Sequence, residues 1–246
     1  METHICQDPQ AVGKVSAEKG AKLIRECLNK KAEVNVALAT GTSQFETLSN
    51  LLQHDIDWAK VNIFHLDEYI GLSEEHPASF RRYIRERFVS KLPTLNSVTY
   101  IRGDAEDLKG EIKRLNHAIA RQPIDVAFIG IGENAHLAFN DPPADFRVED
   151  AYIKVKLDAK CRQQQLEEGW FNSLTEVPDY AISMSIRQIL KSRHIVCSVP
   201  ESRKASAVKN AVEGKVSNSC PASALQQHQS CNLYLDGGSA SLLGEK

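Results

Sequence analysis

The 246-residue sequence has little of what marks a membrane, secreted or nucleic-acid-binding chain. No apolar stretch approaches the ~18 residues of a membrane-crossing helix. The opening METHICQDPQ has neither a basic n-region nor an apolar h-region, so no signal peptide is expected. Lys and Arg (30) nearly balance Asp and Glu (32), for a net charge of −2. That balance supplies no global field toward nucleic acid or an anionic membrane, and neither is expected as a partner. The cysteines, Cys6, Cys27, Cys161, Cys197, Cys220 and Cys231, form no C-x-x-C pair and no metal-knuckle spacing. Reduced thiols, no bound metal and a cytoplasmic location are the expectation. There is no internal repeat, low-complexity tract or linker, which favours one domain over 1–246.

The sequence does contain a regular alternation of apolar strands and amphipathic helices. Ala17, Ala21, Ile24 and Leu28 recur at helical spacing within 9–30. Strands are expected at 34–39, 61–66, 98–101, 125–130, 180–184, 194–199 and 232–235, with a half-exposed one at 152–157. Helices are expected at 44–52, 79–92, 107–120, 160–171, 186–191 and 201–213. The pattern predicts an α/β fold: a Rossmann-like, doubly wound, mostly parallel sheet with helices on both faces. In such sheets a ligand sits beyond the carboxyl ends of the strands, where the strand order reverses. Three predicted strands end in residues able to do chemistry.

The stretch GIGENAHLAFNDP (130–142) follows one of them. Its Gly130-x-Gly132-x-x-Ala135 matches a dinucleotide fingerprint, which needs a helix directly after the glycines to hold a pyrophosphate. Here Pro142 and Pro143 leave room for less than two turns, too short for an ordinary crossover, so no organic cofactor is expected. His136 with Asp141 close behind suits proton transfer near neutral pH, though a loop histidine bonded to its own loop reads the same way. Asp67 and Glu68 directly follow a strand. One can face a cleft while the other faces away, and a cap is an equal alternative. Thr40, Gly41, Thr42 and Ser43 lie between a strand and a helix and could cradle a phosphate; a capped turn is the alternative. No Gly-Lys-Ser/Thr follows, which points to a sugar phosphate rather than a nucleotide. Lys204 starts a helix on the same side and could add a point charge, unless it is a solvated surface lysine.

Together these residues resemble the glucosamine-6-phosphate deaminase family, which shares its fold with 6-phosphogluconolactonases. The resemblance runs in order through LATGTS (38–43), FHLDEYIGLSEEHPASF (64–80), GIGENAHLAFNDP (130–142), VPDYAISMSI (177–186), SRKA (202–205) and CPASALQQH (220–228). It implies conversion of an amino sugar phosphate to fructose-6-phosphate and ammonia, without metal or organic cofactor. It further implies that Asp67 moves the C2 proton, His136 opens the sugar ring and Asp141 orients His136. Asn134 would stand beside the histidine, and Thr42, Ser43 and Lys204 would hold the phosphate with Thr40 and Gly41.

The sequence departs from the family pattern at four places. Asn134 stands where many members have aspartate, Ala135 where glycine is usual, and Asp141 where glutamate is usual. The arginine that clamps the phosphate is replaced in Gly169-Trp170-Phe171, with Arg162 as a candidate substitute. A lactonase of the same fold and a non-catalytic sugar-phosphate sensor are the alternative readings. The oligomeric state is left open, a homo-oligomer included.

Overall fold

The computed structural model describes residues 1–121 and 123–244. In chain order the strands are β1 (Glu2–Cys6), β2 (Val34–Leu38), β3 (Val61–His65), β4 (Asp67–Tyr69), β5 (Ser97–Thr99), β6 (Val126–Ile129), β7 (Tyr152–Lys156), β8 (Tyr180–Met184), β9 (His194–Val199) and β10 (Cys231–Asp236). The α-helices are α1 (Pro9–Leu28), α2 (Phe45–Leu51), α3 (Phe80–Arg87), α4 (Leu108–Ala120), α5 (Ala159–Glu167), α6 (Ile186–Leu190) and α7 (Ala205–Glu213).

Seven strands form a sheet in the order β1-β10-β9-β6-β2-β3-β5, every neighbouring pair parallel. Its central strands are apolar runs because both faces are covered. Val36, Ile63 and Phe128 pack on α1, α2 and α3. Their neighbours Ala37, Phe64 and Ala127 point the other way, toward α4, α6 and α7. From β2 the chain builds outward through β3 and β5. With β6 it returns to the opposite side of β2 and builds outward again. The order therefore reverses between β2 and β6, as a doubly wound sheet requires.

The sequence pattern did not show a second, antiparallel sheet in the order β4-β8-β7. The strands expected at 152–157 and 180–184 belong to it and not to the central sheet. It lies over the α4 side, where Tyr152, Ile182 and Met184 join the same apolar cluster as Ala127 and Ile129. The N-terminal β1 is also an addition; it is an edge strand whose side chains are only partly covered. Helix α3 is shorter than expected. At Phe88 the backbone leaves helical geometry (φ −127°, ψ −66°), and the ring is buried edge-on to Trp58 at 5.4 Å. Among the described residues no helix is long and apolar enough to cross a membrane.

Candidate active site

The ends of β2 and β6 open a cleft at the reversal of strand order. Asp67 and His136 both line it, together with Gly41, Ser43 and Lys204. Three loops distant in sequence therefore face one small volume.

Asp67 is the first residue of β4 and pairs with Ser183 of β8. Adjacent strand residues point to opposite sides, which separates Asp67 from Glu68. Asp67 faces the cleft. Glu68 turns to the N-terminus of α3, accepting from the backbone of Tyr69 (2.9 Å), Phe80 (3.2 Å) and Arg81 (2.7 Å) and from the Ser79 hydroxyl (2.9 Å). Both readings of the acid pair thus hold, one for each residue: a cleft acid and a cap. Burial, reinforced by the Glu68 charge, pushes the Asp67 carboxyl up to about 8.

His136 lies in a loop that contains no helix, so Gly130 and Gly132 do not form a dinucleotide cradle. A Cβ on Gly132 would sit 2.2 Å from the His136 ring, so glycine lets the imidazole lie flat on the loop backbone. The ring Nδ1 is 3.1 Å from an Asp141 oxygen. The approach is close but poorly aligned for a hydrogen bond. The shorter aspartate still reaches because the loop curls inward through Ala135 (φ 67°), an uncommon left-handed position for a residue with a Cβ. Burial alone would raise the Asp141 carboxyl. The His136 ring, the Asn134 amide and the Asp158 backbone N–H together hold it below the usual carboxylate range.

Asn134 ties this group together. Its Nδ2 donates to Asp141 (2.9 Å) and Asp158 (3.0 Å), and its Oδ1 accepts from the His136 backbone N–H (3.1 Å). The loop is also hung on β8. The Phe139 N–H donates to the Ser183 hydroxyl at 3.1 Å, and the Asn140 amide donates to Ser183 (3.2 Å), to the Met184 carbonyl (2.8 Å) and to the Leu137 carbonyl (2.7 Å). Because Ser183 is also the strand partner of Asp67, one residue of β8 sets the spacing of acid and imidazole. Neither Asn140 nor Ser183 stood out in the sequence as part of the site.

At the other end of the cleft, Gly41 (φ 99°) turns the chain from β2 into a short 3₁₀ turn, Thr42–Gln44, leading to α2. The Thr40 and Thr42 hydroxyls are buried and have no partner, which suits a loop shaped to receive an oxygen-rich group. Gln44 holds the loop in place: its amide reaches the carbonyls of Ile129 (3.4 Å) and Ser198 (3.2 Å), joining the ends of β6 and β9 to β2. Lys204 closes a 3₁₀ turn before α7 and is only 3% exposed, so it is not a solvated surface lysine. Burial, and then the neighbouring Arg203, pulls its ammonium down to about 8.

Arg162 does not take part. Its guanidinium donates to the carbonyls of Leu174 (2.6 Å) and Val177 (2.8 Å) and pairs with Asp179 (2.9 Å), pinning the segment between α5 and β8. The stretch Gly169-Trp170-Phe171 offers no arginine of its own. Gly169 ends α5 at φ 82°, a conformation that favours glycine. The cleft wall here comes instead from Gln164, Gln165 and Glu168 of α5 and its end, with Phe80 and Phe139 beside them. Among the described residues, the one group that could hold a metal joins His136, Asp141 and Cys161, whose ligand atoms lie within 4.8 Å of one another. It fits a cation poorly, because burial and the flanking Asp141 and Asp158 charges push the Cys161 thiol well up, away from the thiolate.

Residues 7–235 match the family of glucosamine-6-phosphate isomerases and 6-phosphogluconolactonases. A glucosamine-6-phosphate deaminase of Oenococcus oeni is 34% identical over 231 residues, 94% of this chain and 95% of that protein. The solved structure of a monomeric glucosamine-6-phosphate deaminase has a TM-score of 0.88 at 30% identity, covering 98% of this chain and 100% of that one. A 6-phosphogluconolactonase from Thermotoga maritima shares the fold, with a TM-score of 0.79 at 14% identity over 96% of this chain and 99% of that one. The chain is a member of the glucosamine-6-phosphate isomerase/6-phosphogluconolactonase family, a family of enzymes.

Proposed function

We propose that this chain converts glucosamine-6-phosphate and water to fructose-6-phosphate and ammonia. The observation that carries the reading is the meeting of Asp67, His136 and the Thr40–Ser43 loop with Lys204 in one cleft. The phosphate enters the loop at the end of β2, taking hydrogen bonds from the backbone, from Thr42 and Ser43 and from Lys204. His136 moves a proton at the ring oxygen and opens the pyranose, and Asp141 supports the imidazolium that alternates with the neutral ring. Asn134 positions this pair without touching the sugar.

The C1 aldehyde of the open chain acidifies the C2 hydrogen. Asp67 takes that proton as a double bond forms between C1 and C2, then returns it to C1. The imine left at C2 adds water and expels ammonia, which balances the reaction. Anchoring the phosphate fixes C2 against Asp67 and lowers the barrier through positioning. A carboxyl at about 8 in the free protein is largely protonated at neutral pH. The substrate's ammonium group, arriving beside it, favours the ionised base.

The same reading takes 1–246 as one domain, since both apolar clusters share the central sheet. It also places the protein in the cytoplasm, in keeping with six unpaired cysteines. The test is a substrate screen with ammonia and sugar-phosphate readouts. The reading expects ammonia and fructose-6-phosphate in equal amounts from glucosamine-6-phosphate, above the galacto epimer and with no turnover of 6-phosphogluconolactone. Lactone hydrolysis without ammonia would overturn it in favour of a lactonase. Tight sugar-phosphate binding with no product would overturn it in favour of a sensor.

A further inference from the structure

The loop proposed to hold a phosphate has a carboxylate packed against it. One oxygen of Glu168 lies 3.9 Å from the point a Cβ on Gly41 would occupy, and the side chain is 6% exposed. A dianion entering there meets a negative charge that water screens poorly. Lys204 is the only lysine or arginine among the cleft-lining residues described, and a Glu133 carboxylate oxygen lies 3.9 Å from its ammonium. The adjacent Arg203 guanidinium sits between these acids. It reaches Glu133 at 2.9 Å, Glu168 at 3.7 Å and Glu201 at 2.5 Å. The cluster thus sets two cations against three carboxylates, a net negative charge that repels an entering anion. The guanidinium is about one-third exposed and held through side chains alone. A planar guanidinium fork suits a phosphate as well as a carboxylate.

We propose that Arg203 is a second phosphate-binding cation, latched by Glu133, Glu168 and Glu201 in the empty site and handed to the substrate's phosphate when that group enters beside Lys204. This rests on the phosphate subsite of the proposed function and deepens it. Phosphate binding then competes with the latch, so neutralising a latch carboxylate tightens the site while removing the arginine loosens it. A guanidinium with a merely structural role would not produce opposite signs.

The test is calorimetric titration of the full chain with inorganic phosphate, with the KM for glucosamine-6-phosphate measured in parallel. Arg203→Gln is expected to weaken phosphate binding about tenfold and to raise KM by a similar factor. Glu168→Gln is expected to tighten phosphate binding several-fold, and Arg203→Gln/Glu168→Gln to recover part of the loss. Unchanged phosphate affinity in Arg203→Gln, or weaker binding in Glu168→Gln, would overturn the proposal. The two readings fail separately. Phosphate binding with the expected signs but no ammonia would sink the reaction and leave the latch. Ammonia release with Arg203→Gln indistinguishable from wild type would sink the latch and leave the reaction.

Discussion

At one end of the cleft Asp67 is buried beside another acid, and burial together with the Glu68 charge raises its carboxyl. At the other end Arg203 is wrapped by three carboxylates and Lys204 borrows one of them. The first end is kept short of partners, so its acid stays basic enough to take a proton from carbon. The second is oversupplied with them, so its cations are neutralised until an anion competes. Reactive and recognition groups thus differ less in residue type than in whether the protein has already satisfied them.

Breaking the unsatisfied end has the largest expected effect. Asp67→Asn keeps the shape and removes the base, and ammonia release should fall about 10³-fold while inorganic phosphate still binds. His136→Gln should cost about 10²-fold in the same assay, since it removes the proton carrier at the ring oxygen but leaves Asp67 in place. At the recognition end, Lys204→Gln should weaken inorganic phosphate roughly 20-fold, the loss of one charge-assisted contact. Asn140→Ala sharpens the comparison from behind the site. It strips the donor from the Leu137 and Met184 carbonyls, and urea unfolding should show a loss of about 1–3 kcal/mol together with reduced turnover.

The buried acid also sets a pH signature. Its carboxyl is raised, so its contribution to stability is fully present in acid and is lost as pH rises toward about 8. Asp67→Asn should therefore melt higher than wild type at pH 9, with the difference vanishing near pH 4. Activity moves the other way. The base form is required, so kcat/KM of the free enzyme should fall as pH drops through about 8.

The central sheet was legible because its inner strands are largely apolar runs ending in polar residues. The reversal point followed from which ends carried Thr40–Ser43, Asp67 and His136. Strand β1 was not legible, because an edge strand covered on one side only has no apolar run to betray it. The second sheet was missed for a different reason. Periodicity shows that 152–157 and 180–184 are extended but not which sheet they join, and a three-residue strand such as β4 has no period at all. Ser183 and Asn140 carry no chemistry of their own, and Glu168 matters only through a fold that packs it on Gly41. The place of Lys204 after a strand marks it in the sequence; what the adjacent Arg203 faces is not visible from its charge alone.

The most direct test of Asp67 as the proton carrier at C2 uses glucosamine-6-phosphate deuterated at that carbon. The account predicts that the label leaves C2 in every molecule that loses ammonia and that a fraction is recovered at C1 of fructose-6-phosphate, with both events suppressed in Asp67→Asn. A product that keeps deuterium on C2, or an Asp67→Asn protein that releases ammonia at the wild-type rate, would contradict it.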